Sequence, residues 1–215
     1  MVRTLSIRYG YYVELTGFNM QPLSRDDLFP LETYAERRGA FRTEVIEHKR
    51  RRKVPLGANI TLLFEDRLTV QYQIQEMLRV ERIFERSGIE EELAAYNPLI
   101  PDGSNLKATM MVEFEDSTER RAALMRLRGV EDCIWLEVSN GARVLALADE
   151  DLDRSNDEKT SAVHFLRFEL PQAALAMARD GGAMRFGVDH PHCQVSSGEL
   201  SQDVRAALAV DLLSD

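Results

Sequence analysis

An Asn140-Gly141 step between two apolar runs constrains the fold of this chain more than any other feature of its sequence. The runs 133–138 and 143–147 are typical of strands, and Ser139-Asn140-Gly141 between them is typical of a hairpin turn. Further predicted strands cover 59–64, 107–114, 161–169 and 184–188. Because these strands do not alternate strictly with helices, the pattern predicts an α+β fold, with a mixed, mostly antiparallel sheet and helices packed on it.

Helices are indicated by apolar periodicity and by residues that cap or end a helix. A Ser24-Arg25-Asp26-Asp27 stretch and a capping box at Asp116–Glu119 both read as helix starts. The predicted helices cover about 31–53, 66–86, 116–128 and 200–213, with a short helix that begins at Pro171.

The first 19 residues differ from the rest, since a clear pattern begins only at Met20. We interpret 1–19 as an N-terminal extension or a wrongly assigned start, with a genuine edge strand as the alternative. Residues 20–215 are predicted to form a single α+β domain. At 215 residues with 44% hydrophobic composition, the chain is long enough for one sizeable core.

The sequence predicts a cytoplasmic protein that does not enter a membrane. Residues 1–19 include Arg3, Arg8 and Glu14 and lack the apolar stretch of a secretory signal. No apolar run approaches the roughly 18 residues that span a bilayer. Cys133 and Cys193 have neither CxxC spacing nor the density of a disulfide scaffold, so both are expected to be reduced.

The densest charge in the chain is a run of five consecutive cations, residues 49–53. One interpretation is a contact with phosphate or nucleic acid. The alternative is a solvated helix end, because the helix dipole favours cations there. The net charge of −9 and the lack of a DNA-binding motif count against nucleic acid. The candidate anion-binding residues are Lys49, Arg50, Arg51 and Arg52, with Lys107 beside a shaped loop at 96–105.

Glu81 falls in the middle of an apolar helical stripe that runs from Val70 to Phe84. A carboxylate on an apolar face needs a cation, a proton or a metal. The periodicity therefore predicts a buried carboxylate at Glu81. It is interpreted either as a structural ion pair with His48 or Arg52 of the preceding helix, or as a functional group.

The segment Asp189-His190-Pro191-His192-Cys193 carries several side chains that bind transition metals. Its spacing is not that of a zinc finger or of HExxH. The candidate ligands are Asp189, His190 and His192, completed by His164 from elsewhere in the chain. The alternative is a turn in which Asp189 bonds its own backbone. No GxGxxG, P-loop or GxSxG motif is present.

Several stretches together resemble a bacterial family known as domain of unknown function 3501, over roughly residues 20–195. They are 49–52 with 54–57, 61–66, 72–78, 96–108, 154–169 and 187–191. Members of the family usually begin near the position of Met20. They are often encoded beside rubrerythrin-like proteins and iron–sulphur oxidoreductases. The resemblance implies a link to peroxide or redox metabolism, with such proteins as partners, and it supplies no catalytic residues.

Three functions follow as hypotheses. The first is an accessory or interaction protein of a peroxide or redox-metal system, which binds a transition metal or docks a partner through its basic helix end. The second is an enzyme on a small anionic substrate, with Glu81 or His164 as acid or base. The third is a nucleic-acid-binding regulator that uses the same cations.

Overall fold

A computed structural model describes residues 20–152, 154–156 and 158–213, so the predictions for residues 1–19 lie outside the described residues. The helices are α1 (Leu31–Arg50), α2 (Arg67–Glu81), α3 (Arg86–Tyr96), α4 (Ser117–Arg126), α5 (Gln172–Arg179) and α6 (Gln202–Ala209). The strands are β1 (Lys53–Leu56), β2 (Ile60–Phe64), β3 (Asn105–Val112), β4 (Ile134–Val138), β5 (Val144–Leu145), β6 (Leu147–Ala148), β7 (Val163–Glu169), β8 (Met184–His190) and β9 (Cys193–Ser196).

The strands form two sheets rather than one, with orders β1-β2-β3-β7-β6 and β5-β4-β8-β9. Every pairing between the described strands is antiparallel, which confirms the predicted α+β class. The predicted hairpin is present, since β4 pairs with β5 and Trp135 lies opposite Leu145. Its turn is centred on Ser139 and Asn140, whose φ angles are 50° and 58°, one residue before the Asn-Gly step.

The main apolar core lies between the two sheets. Phe64 and Phe168 project from the five-stranded sheet and meet Phe186 of the four-stranded sheet, with ring centroids 4.9 and 5.3 Å from it. All three side chains are fully buried. Burial of each stabilises the fold by about 2–3 kcal/mol. Apolar residues of α4, α5 and α6 complete this core.

Helices α1, α2 and α3 form a helical layer with apolar clusters of its own. Val70, Ile74 and Leu78 of α2 recur at the spacing of one helix face and are buried. Tyr34 and Phe41 of α1 pack in a second cluster, with their rings in edge contact. None of the helices in the described part of the chain is both long and apolar enough to cross a membrane.

The predicted burial of Glu81 is wrong, because α2 ends at this residue. Arg82 adopts a left-handed conformation with φ 55°, and its N–H bonds the carbonyl of Leu78. The helical periodicity therefore stops, so the predicted helix 66–86 ends five residues early, and a separate helix, α3, begins at Arg86. Glu81 is exposed, and Phe84 is 69% exposed.

Candidate functional site

A cavity of about 630 Å³ lies where the helical layer meets α6 and the end of the chain. Pockets at the junction of two structural layers are common sites for small ligands. One part of its lining is apolar and the other part is charged. The apolar lining comes from Met20, Leu68, Ile100, Pro101, Ala206, Ala207 and Val210. The polar lining comes from His48, Arg51, Arg52, Asp66, Arg67, Gln71, Asp203 and Asp211.

A histidine–carboxylate pair forms part of the polar lining. The last turn of α1 carries His48, whose Nε2 lies 2.5 Å from Oδ2 of Asp66. Asp66 is the N-cap of α2, where its Oδ1 accepts a hydrogen bond from the Thr69 N–H at 2.9 Å. Nδ1 of His48 has no hydrogen-bond partner among the described residues.

The carboxyl of Asp66 stays ionised. Burial raises the pKa of Asp66, but the hydrogen bond from His48 and the charge of Arg52 together lower it by more, so the pKa falls to about 2. The Arg52 Nε lies 3.5 Å from Asp66 Oδ2. The Asp66 carboxylate therefore presents a fixed negative charge to the Nε2 edge of the His48 imidazole.

Arg52 holds the cavity wall together. Its side chain is 2% exposed and donates hydrogen bonds to the carbonyl oxygens of Phe64, Glu65 and Ala207, each at 3.0 Å. It also forms a buried ion pair with Asp211. Since these partners engage its donors, the structure places this predicted anion-binding residue in a structural role.

The neighbouring cations of the basic run have different surroundings. Lys49 lies over the ring of Tyr72, 5.9 Å from the centroid, and Arg50 pairs with Glu47 at 2.6 Å. Arg51 lines the cavity and is exposed, with no ion pair or side-chain hydrogen bond among the described residues. Of the predicted cations, Arg51 is therefore the one that lines the cavity without a partner in this part of the chain.

Two further cations fix the loop that carries Ile100. The ammonium of Lys107, the remaining anion-binding candidate, donates to the carbonyls of Pro98 at 2.6 Å and Ile100 at 2.9 Å. Burial lowers the pKa of Lys107, although nearby Asp102 raises it. Arg179 donates to the carbonyl of Gly103 at 3.2 Å. Backbone carbonyls, rather than an external anion, are thus the ligands of Lys107.

The candidate metal-binding segment lies at the end of β8, away from this cavity's lining. His190 Nε2 bonds the carbonyl of Arg128 at 3.1 Å, and its Nδ1 accepts the N–H of His192 at 3.2 Å. Asp189 forms an ion pair with Arg143. Both ring nitrogens of His190 therefore bond the backbone. Among the residues that the structure describes, no three His, Cys, Asp or Glu side chains are grouped to hold one metal ion.

His164 lies in β7, in the other sheet, and is fully buried. Its Nδ1 is 2.6 Å from Asp149 Oδ2, and its Nε2 is 2.8 Å from Thr160 Oγ1. The order of carboxylate, imidazole and hydroxyl is that of a hydrolase triad. However, Thr160 is 1% exposed and donates to Glu131 at 2.9 Å, so a substrate has no access to it. The structure places the predicted acid or base in a buried network.

Sequence reasoning identified His48 and Arg52 as partners for Glu81 and missed their contact with Asp66 and Asp211. Asp66 carries a local signal, since it is a capping residue at the start of a predicted helix. Asp211 carries none, because its position next to Arg52 depends on the packing of the whole chain.

Comparisons with known proteins give the same fold without an activity. A family model described as "Protein of unknown function (DUF3501)" matches residues 22–212. A crystal structure of a novel protein of unknown function from Burkholderia pseudomallei K96243 is 53% identical, with a TM-score of 0.85. The match covers 89% of this chain and 100% of that one. A comparison with curated proteins finds no match.

Proposed function

The chain belongs to the DUF3501 family of proteins of unknown function, and we propose that it binds a small organic anion with an apolar part in the cavity described above. The observation that carries the proposal is the position of Arg51. Its guanidinium has no ion pair among the described residues, and it lines the same cavity as an apolar wall. A guanidinium binds carboxylate or phosphate through parallel hydrogen bonds.

The charges of the cavity favour an anion over a cation. Two of its carboxylates lie against the guanidinium of Arg52, Asp66 at 3.5 Å and Asp211 in the buried ion pair. The N-terminal turn of α2, at Arg67 and Leu68, also lines the cavity. Backbone N–H groups at a helix N-terminus attract negative charge. Asp203 is the exposed carboxylate that opposes this preference, so a cationic probe belongs in the test.

The walls of the cavity are held in place by the protein itself. Arg52, Lys107 and Arg179 donate to backbone carbonyls on the segments that surround it. A preformed site loses less conformational entropy on binding than a mobile one. This supports binding of a small ligand, whose few contacts leave little free energy for reorganising the protein.

The redox-metal accessory role remains a prediction, as do a transition-metal cofactor and rubrerythrin-like or iron–sulphur partners. The accessory role and the partners rest on gene neighbourhood, and the metal rests on the residue types of segment 189–193 with His164. A nucleic-acid regulator is less favoured, because Lys49, Arg50 and Arg52 contact the protein's own groups.

Calorimetric titration with hexanoate, acetate, hexanol and hexylamine tests the proposal. Hexanoate has both an apolar chain and a carboxylate, whereas each other probe lacks one of these or reverses the charge. Hexanoate should bind most tightly, and Arg51→Gln should weaken it about 10-fold, as expected for one charged hydrogen-bonding partner. Arg50→Gln is the matched control, because Arg50 is adjacent to Arg51 in the chain but does not line the cavity. It should bind hexanoate as wild type does. Equal binding of hexanoate by both variants, or tighter binding of hexanol or hexylamine, would contradict the proposal.

A further inference from the structure

The side chains that line the cavity belong to few chemical types. Residues with a hydroxyl, a thiol or an amine are missing from the lining, within the part of the chain that the structure describes. Hydroxyl, thiol and amine nucleophiles are therefore not available there. The polar lining consists of one imidazole, three carboxylates, three guanidinium groups and the amide of Gln71. Of these, the imidazole is best suited to transfer a proton near neutral pH.

One edge of the His48 imidazole is held by a carboxylate. Its Nε2 donates to Asp66, which fixes the tautomer and leaves the lone pair on Nδ1 without a partner among the described residues. Asp66 is itself held by the Thr69 N–H at the start of α2. A carboxylate on one imidazole nitrogen stabilises the imidazolium that forms when the other nitrogen takes a proton.

Positive charge is present in the lining. Arg51 has no partner among the described residues, and Arg67 and Leu68 belong to the first turn of α2, the positive end of the helix dipole. An oxygen that gains negative charge during a reaction is stabilised by such groups. A ligand that has a carboxylate beside a carbonyl, followed by an apolar chain, matches three parts of the lining: Arg51, the first turn of α2 and the apolar wall.

We propose that the cavity catalyses proton transfer on a 2-oxo acid with an apolar chain, with His48 as the base and Asp66 as its positioning residue. The inference rests on the proposed function. The C–H bond next to the carbonyl breaks, and its proton moves to Nδ1 of His48. The electron pair forms a carbon–carbon double bond, and the carbonyl π pair moves to the oxygen as an enolate. Return of the proton to carbon or oxygen gives the original acid, its epimer at C3 where that carbon is branched, or the enol, without a co-reactant.

Deuterium exchange provides the test. The full-length protein is incubated with 2-oxohexanoate in D₂O, and loss of the C3 proton signal is followed by proton NMR. Binding of the same compound is measured separately by calorimetry. Wild type should accelerate exchange over the protein-free solution, and His48→Gln should reduce that acceleration at least ~100-fold. The dissociation constant of 2-oxohexanoate for His48→Gln should stay within about threefold of the wild-type value, because Arg51 and the apolar wall remain.

Asp66→Asn separates positioning from folding. Asparagine is also a good N-cap, so the variant should fold, but at a lower melting temperature because the carboxylate beside Arg52 is lost. It should lower the exchange rate by ~100-fold with little change in binding, a loss in kcat rather than in KM. Arg50→Gln should exchange at the wild-type rate.

The outcomes distinguish the two proposals. Binding of 2-oxohexanoate without exchange overturns the proton-transfer inference and leaves the proposed function standing. Absence of 2-oxohexanoate binding while hexanoate binds overturns only the inference, and absence of binding of both compounds overturns both proposals. Exchange that persists in His48→Gln places the base elsewhere and overturns the role of His48.

Discussion

Arg52 and Asp211 lie 159 positions apart in the chain and form an ion pair in which both side chains are almost fully buried. Arg52 follows α1, and Asp211 lies in the last helical turn of the described chain. Their contact joins the helical layer to the sheets at the wall of the cavity.

Arg52→Met should destabilise the protein by about 3 kcal/mol, because it leaves the buried carboxyl of Asp211 without its partner. Three backbone carbonyls would also lose a donor. Urea unfolding measures the change. Arg50→Met, at an exposed position of the same run, should alter stability by no more than about 0.5 kcal/mol. Similar unfolding midpoints for the two variants would show that the buried pair contributes little.

The ionised carboxylate of Glu76 should make the free energy of unfolding of the protein decrease as the pH falls below about 4.5. The hydrogen bond from Arg38, at 2.7 Å, is the largest cause that lowers the pKa of Glu76 from 4.5 to about 2, against the effect of burial. A carboxyl with a lowered pKa in the folded state stabilises the protein above its unfolded pKa, and this contribution is lost as the pH falls towards 2.

Glu76→Gln should therefore cost about 1–3 kcal/mol at pH 7 and almost nothing near pH 2. Denaturant unfolding across this pH range measures the difference. Glu47→Gln, at an exposed ion pair, is the control and should follow the wild-type curve. A difference between Glu76→Gln and wild type that is constant with pH would rule out the ionised carboxylate as its source.

Gly187 gives Trp135 the room that its ring occupies. A Cβ at Gly187 would lie 2.1 Å from Cζ2 of Trp135, closer than any relaxed contact. Gly187→Ala should therefore displace the indole and cost about 1–3 kcal/mol. Because Trp135 is the chain's single tryptophan, its fluorescence emission should shift to the red as the ring becomes wetter. Gly39→Ala, in the exposed middle of α1 with nothing within 4 Å of the added carbon, should instead stabilise by about 0.5–1 kcal/mol. An unchanged emission spectrum for Gly187→Ala would contradict this packing.

His164→Ala should cost about 3 kcal/mol or more, because Asp149 and Glu131 would remain buried without the imidazole between them. Thermal and urea unfolding both measure this loss. His192→Ala, which changes an exposed histidine, should unfold as wild type does. Equal stability of the two variants would show that the His164 network is dispensable.

Elements with strong local signals were predictable from the sequence. Helix α1, the β4–β5 hairpin and the α4 capping residue Asp116 follow from periodicity and turn chemistry within a few residues. Strand β1 was missed: the predicted helix 31–53 covers its first residue, and Pro55 is a residue that strand interiors disfavour. Pro55 is tolerated because β1 is an edge strand, where a missing N–H removes no ladder bond.

The site was less predictable, because its parts come together only through tertiary packing. The basic run includes both Arg51 and Arg52, but the sequence does not show that Arg51 is exposed and Arg52 is buried. Glu81 was misplaced because a periodicity argument assumes that the helix continues, and the left-handed Arg82 ends it. The pairing of His48 with Asp66 depends on how α1 and α2 cross.

The frame of the cavity and its apolar lining are made by different residues. Arg52, Lys107 and Arg179 fasten the backbone, whereas Leu68 and Ala206 contribute side chains to the lining. Substitutions in the lining can therefore change the shape and polarity of the cavity without removing the hydrogen bonds that hold its backbone in place.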